Sequence, residues 1–138
     1  GTSDSRKDWF VVGDYKRQPN EVGGNETTAP EDVHREMKAL FKEYNSKKQK
    51  SFEDIIDLHQ RFESIHPFQD GNGRVGRLVM FKEWLANGYV PFIITEELKM
   101  FYYRGLREWN SVRGYLLDTC LAAQDNYKAM LDYFKIKY

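Results

Sequence analysis

The chain of 138 residues has one cysteine, no excess of charge of either sign and no long apolar run, and each shortage removes a class of protein. A lone Cys120 cannot close a disulfide within the chain, so stability has to come from the core, and a reducing compartment is compatible. Set among Leu117 and Leu121 in a helical stretch, that cysteine reads as a small buried hydrophobe. Lysine plus arginine number 21 and aspartate plus glutamate 21, so no global field recruits nucleic acid or an anionic membrane. Partners must be found by shape and local chemistry. No apolar stretch approaches a membrane span, and the opening Gly1-Thr-Ser-Asp-Ser-Arg-Lys7 has no signal-peptide core and reads as the edge of a cut fragment. A cytoplasmic setting is the expectation, with delivery into another cell also compatible. Repeats and low-complexity tracts are missing too, and the length suits one domain burying roughly two thirds of its unfolded surface.

What is present concentrates in one stretch, His66-Pro-Phe-Gln-Asp-Gly-Asn-Gly-Arg-Val-Gly-Arg77. Upstream, Phe52, Ile55, Ile56, His59, Phe62 and Ile65 have the spacing of a helix over 51–65 with one buried stripe, and Pro67 stops it. His59, within that stripe, is expected to be a core histidine with a satisfied ring nitrogen. Downstream, Arg74 to Ala86 reads as a second helix, apolar on most sides and therefore the expected central buried element, closed by Asn87-Gly88. Between them, the glycines of Asp70-Gly71-Asn72-Gly73 let the backbone approach a ligand and lead into a helix N-terminus that favours an anion. Arg74 and Arg77, three apart, offer charged forks to phosphate oxygens. Asp70 would repel those phosphates unless a divalent cation joined them, and Mg²⁺ is commonly held by one or two carboxylates plus phosphates. His66 can take a proton from an incoming hydroxyl.

Three simpler readings compete. Gly71-x-Gly73-x-x-Gly76 fits a dinucleotide fingerprint, but that requires a preceding strand where the sequence reads helical. The acidic residues are too few for an EF-hand loop. A bare Gly/Asn/Asp turn explains neither His66 nor two arginines.

The same residues match, without a gap, the pattern His-x-Phe-x-(Asp/Glu)-Gly-Asn-Gly-Arg-x-x-Arg, and the chain resembles the Fic family. The resemblance implies an all-α fold, a Fic-type helical bundle around a central buried helix with a short β-hairpin flap near the N-terminus. It implies transfer of AMP from ATP to a serine, threonine or tyrosine hydroxyl of a target protein or of the chain itself. By that likeness His66 is the general base, Asp70 holds Mg²⁺, and Asn72 with Gly71 and Gly73 cradles the phosphates. Arg74 and Arg77 take the outer phosphates, and Phe68 anchors the loop. The related Doc kinases resemble this pattern but carry lysine where Gly73 stands, which favours nucleotidyl transfer here.

The remaining chain divides into a leader (1–12), a flap region (13–28) and a helical core (29–138). The short β-tolerant pieces of the flap region around Pro19-Asn20 suggest a hairpin. Its Tyr15, Glu21, Val22 and Gly23 correspond to the Fic flap, whose strand edge could align an extended target segment by main-chain pairing. A plain surface loop is the alternative. Pro30 opens the first core helix, buried through Val33, Met37, Leu40, Phe41 and Tyr44, with His34 on the solvent side. Residues 45–50 form a solvated basic connector, and the sequon Asn25-Glu-Thr27 is a chance match. Tyr89 to Ile94 is an extended link, and Thr95 is placed to cap the next helix. Tyr103 and Asn110, two helical turns apart, would share a face suited to a purine, and Fic proteins resemble this with a Tyr-Tyr pair, here Tyr102-Tyr103, and a later Asn. From Ser111 to about Ile136 the pattern is one long amphipathic helix or two short ones.

The inhibitory helix of many Fic proteins, (Ser/Thr)-x-x-x-Glu-(Gly/Asn), has no match; Thr27-x-x-x-Glu31 is followed by Asp32. The expectation is an Arg77 free of restraint, with any inhibitory glutamate supplied by a separate protein or by an N-terminal helix outside this chain. Two other functions stay open: removal of AMP from modified protein, and a helical interaction module that only binds nucleotide or passes another nucleotide or a phosphocholine group.

Overall fold

The structure, a computed structural model, describes residues 10–138; the first nine, most of the leader, lie outside the described residues. It is mostly helical, with β1 (Glu21–Val22), β2 (Asn25–Glu26), α1 (Val33–Asn45), α2 (Phe52–Ile65), α3 (Asn72–Ala86), α4 (Lys99–Arg107) and α5 (Arg113–Tyr133). The expected all-α class with one small hairpin therefore holds. The described residues fall into two compact units, 10–48 with 57–76 and 49–56 with 77–138, and α2 and α3 each contribute residues to both.

In the first unit the hairpin pairs Glu21 with Glu26 and Val22 with Asn25. Its turn is not at Pro19-Asn20 but at Gly23-Gly24, both with positive φ (55° and 80°). A two-residue turn whose twist matches the strands needs that left-handed conformation twice, which glycine adopts without strain. Pro30–Asp32 form a single 3-10 turn leading into α1, which buries Val33, Met37 and Leu40 and exposes His34. Ser51 and Asp54 cap the start of α2 reciprocally, Ser51 N–H donating to Asp54 Oδ2 and Asp54 N–H to Ser51 Oγ. His59 is buried, and its Nδ1 lies 3.1 Å from the Gly76 carbonyl, as a core histidine requires. A Cβ on Gly76 would stand 2.1 Å from Glu63 Oε1, so the third glycine of the motif lets α2 and α3 pack closely here.

Among the described helices α2, not α3, is the most deeply buried, through Ile55, Ile56, Leu58, Phe62 and Ile65. The apolar residues of α3 do not face inward on all sides: Asn72, Gly76, Met80 and Trp84 are buried, whereas Leu78 and Leu85 are 69% and 58% exposed. Hydrophobic residues all round a helix signal burial only when every side meets a neighbour.

The second unit is built on aromatic packing and one close helix crossing. Phe52 stacks on Trp84 at 4.6 Å between ring centroids, with Tyr89 and Phe92 around them. The link after α3 forms neither helix nor strand and is tied by Tyr89 Oη donating to the Lys50 carbonyl and by Gln124 Nε2 donating to the Val90 carbonyl. Thr95 precedes a 3-10 turn over Glu96–Leu98, and its hydroxyl does not cap it. At Gly105, α4 comes so near α5 that an added Cβ would lie 2.7 Å from the Leu116 Cα. From Arg113 onward the chain is one helix, in which Cys120 is buried and its thiol pushed up to about 12 by loss of water. No helix among the described residues is long and apolar enough to cross a membrane.

Candidate active site

The site grows from the end of α2. His66 N–H still donates to the Phe62 carbonyl at 3.0 Å, but the proline that follows bars a further helical turn. His66 turns instead into the left-handed region, φ 52°, which only one other described non-glycine residue, Lys135, shares. Such a conformation costs about 1–3 kcal/mol outside glycine and persists where the surroundings impose it. The imidazole is half-buried, and its Nδ1 is buried without a well-formed hydrogen bond among the described residues. Burial lowers the pKa of His66 below the ordinary histidine value, the Glu63 backbone carbonyl opposes this, and the charge of Lys16 lowers it further. At neutral pH the ring is therefore unprotonated, the form a base requires.

The loop that follows is fixed by Asn72. Its Oδ1 accepts from the Phe68 N–H at 2.8 Å and its Nδ2 donates to the Phe68 carbonyl at 2.7 Å, with the residue 97% buried. Both ends of the amide are thus engaged by the loop backbone, and the backbone N–H of Asn72 lies at the start of α3. Gly71, φ 82°, makes the turn, and Val75 N–H to the Gly71 carbonyl closes the first turn of α3. The N–H groups of residues 72–74 are those that a helix start leaves without intrahelical partners.

Asp70 and Arg74 come together on a cavity of about 200 Å³, whose wall is completed by Phe68, Gln69 and residues 10–14; His66 does not line it. The Asp70 carboxylate, about a third exposed, pairs with the Arg74 guanidinium at 3.5 Å. That side chain of Arg74 is 75% exposed, so the pair is worth little and exchange for an outside anion and cation is cheap. As for Mg²⁺, no cluster of three or more His, Cys, Asp or Glu exists among the described residues. One open carboxylate fits a cation whose remaining ligands are phosphates and water. Arg77 is half-buried in α3, three residues beyond Arg74.

Tyr15 forms an isolated antiparallel bridge with Phe68, their rings 5.7 Å apart, so the flap region is fastened directly to the motif loop. Glu21 and Val22 are exposed on β1, and Gly23 begins the turn. In the second unit, Tyr103 is 42% exposed and Asn110 exposed, whereas Tyr102 is a core residue. The reasoning that put Tyr103 and Asn110 on one helix face does not hold, because α4 ends at Arg107 and Asn110 lies in the turn beyond it.

Sequence reasoning missed Lys16, Asn20 and Gln69. Gln69 Oε1 accepts from the N–H groups of Arg17 and Gln18 (3.3 and 3.2 Å). Lys16 is 96% buried, its pKa lowered to about 8 by burial against the raising effect of Glu36. Within Tyr-Lys-Arg-Gln-Pro-Asn it reads as ordinary surface, because the Ile65 carbonyl that its Nζ reaches lies 49 positions away.

A half-buried imidazole, a glycine turn and a helix start thus follow one another within a single stretch, and a model of the Fic/DOC family matches residues 2–83. The chain belongs to the Fic/DOC family. It is 33% identical over 98 residues to the protein adenylyltransferase Fic of Drosophila persimilis and 34% over 101 residues to that of Aedes aegypti. These alignments cover 69% and 71% of this chain but 19% and 20% of the relatives, so the chain spans about a fifth of their length. Among solved structures, a Fic domain containing signaling protein from Bacteroides thetaiotaomicron superposes with a TM-score of 0.71 at 27% identity, over 88% of this chain and 53% of that one.

Proposed function

We propose that this chain transfers AMP from ATP to a serine, threonine or tyrosine hydroxyl of a target protein or of itself, releasing pyrophosphate. The observation that carries the reading is the loop 66–74: a neutral imidazole in a forced conformation, four residues before a carboxylate and directly joined to a glycine turn, a helix start and an exposed guanidinium. His66 takes the proton of the acceptor hydroxyl as its oxygen attacks the α-phosphorus. The N–H groups at the start of α3 face the phosphates, with Gly71 and Gly73 giving access, and Arg74 and Arg77 neutralise the outer ones. Mg²⁺, held by Asp70 and the phosphates, would supply charge neutralisation. The family likeness assigns Tyr102, Tyr103 and Asn110 to the adenosine, by stacking and by an amide hydrogen bond. The hairpin, through Tyr15, Glu21, Val22 and Gly23, receives the target segment; with two residues per strand it can offer only a few main-chain hydrogen bonds.

No inhibitory glutamate pattern occurs in these 138 residues, and Arg77 is the residue proposed to hold a γ-phosphate. The decisive experiment supplies ATP labelled at the α or at the γ position, with His66→Ala as control. Protein labelling from the α position alone, abolished in the control, is expected. Labelling from γ alone would mean a kinase, and labelling from neither would leave a nucleotide-binding module.

A further inference from the structure

The four carbonyls of the strained loop, residues 65 to 68, are all held by two side chains and one backbone N–H from residues 16 and 20. Lys16 Nζ donates to the Ile65 carbonyl at 3.2 Å, and Lys16 N–H donates to the Pro67 carbonyl at 2.8 Å. Asn20 Nδ2 donates to the Phe68 carbonyl at 2.9 Å and more weakly to that of His66 at 3.4 Å. The two residues also hold each other: Lys16 Nζ donates to Asn20 Oδ1 at 2.7 Å and to Thr27 Oγ1 at 2.8 Å. An ammonium has three donors, and all three are used here. A buried cation is retained only when it is satisfied in this way. Its position at the C-terminal end of α2 is also where a positive charge meets the helix dipole favourably. The same Thr27 accepts from Lys16 immediately after β2, while Asn20 immediately precedes β1.

We propose that Lys16 and Asn20 are positioning residues that hold His66 in its left-handed conformation and tie it to the hairpin. The inference rests on the proposed reaction for its kinetic consequence but not for its physical one. The clamp grips the base from both sides along the chain, and it is continuous with both hairpin strands. A target segment lying on β1 therefore meets a base whose placement is set by the residues just before and after that hairpin. The charged groups facing the imidazole from the neighbouring segments are Lys16 itself and, through Lys16, Glu36 of α1.

The test uses the 138-residue chain and the variants Lys16→Met, Lys16→Arg and Asn20→Ala, with folding confirmed by circular dichroism. Steady-state transfer of AMP is measured beside the titration of His66, followed by NMR of histidine-labelled protein and assigned with His66→Ala. Misplacing a catalytic group by about 1 Å can cost on the order of 100-fold, so the expected loss in kcat is about 10- to 100-fold in Lys16→Met and Asn20→Ala, with KM for ATP unchanged. The His66 midpoint should rise in Lys16→Met, since the positive charge that lowers it is removed, and Lys16→Arg should recover both kcat and midpoint. Folded Lys16→Met and Asn20→Ala with native kcat, or a His66 midpoint unmoved in Lys16→Met, would overturn the proposal. Should Lys16→Met not fold, Asn20→Ala decides on kcat alone. If the unaltered chain moves no label from ATP, the proposed reaction fails while the His66 titration still judges the clamp.

Discussion

A base is useful only in its unprotonated form, and His66 reaches that form by burial rather than by a partnering carboxylate. Its pKa lies below the usual histidine value, so the neutral ring persists as pH falls towards 6.5 and is lost only under more acidic conditions. The acid limb of a plot of kcat against pH should accordingly fall below pH 6.5. A positioned base contributes about 10²- to 10⁴-fold, so His66→Ala should lower kcat by that factor, about 3–5 kcal/mol of barrier, in steady-state assays. Arg74→Ala should raise KM for ATP through loss of charge-assisted hydrogen bonds worth about 1.5–3 kcal/mol each, with its melting temperature barely changed because the side chain is exposed. That His66, Asp70 and Arg74 fall on one short loop and helix start was legible because they lie within a few consecutive residues. The bonds of the Asn72 amide to Phe68 were not legible, since nothing in Gly-Asn-Gly tells which way the amide folds. Lys16 was invisible, because nothing near it in sequence tells that its ammonium reaches the Ile65 carbonyl 49 residues away.

Periodicity decides helices well and their surroundings poorly. The buried faces of α1 and α2 followed from spacing, and so did the end of α2 at Pro67. The burial of α3 did not, because counting apolar residues around a helix cannot reveal which of them meet a neighbour. The hairpin turn had its signal in Gly23-Gly24, the two consecutive residues able to take positive φ, although Pro19-Asn20 drew the reading upstream. The same logic of backbone space yields a prediction at α4 and α5. An alanine at Gly105 would press its Cβ against the Leu116 backbone, which cannot swing aside as a side chain can. Overpacking of this kind costs about 1–3 kcal/mol and should outweigh the roughly 1 kcal/mol by which alanine favours a helix over glycine. Gly105→Ala should lower the urea midpoint, whereas Gly114→Ala, with nothing within 4 Å of its added Cβ, should leave it unchanged or raise it.

For the molecule as a whole, the one cysteine reports on global opening. Cys120 is buried, and its thiol is pushed up to about 12, so the thiolate that reacts is scarce and inaccessible while the chain is folded. A disulfide reagent at pH 8 should modify it slowly in buffer and rapidly in denaturing urea; fast modification of the native chain would refute its burial. That role was readable from Leu117 and Leu121 alone, as was the helical character of the chain. The division into two compact units was not, since two of its boundaries fall inside the helices α2 and α3.

At the tip of the hairpin, Gly23 and Gly24 have no neighbouring atom within 4 Å of where a side chain would start. Extra residues spliced between them would project into open solvent while Asn20 and Thr27 kept their bonds below. The tip is thus a place where lineage or protein engineer could lengthen the chain without disturbing the bonds that hold the loop around His66.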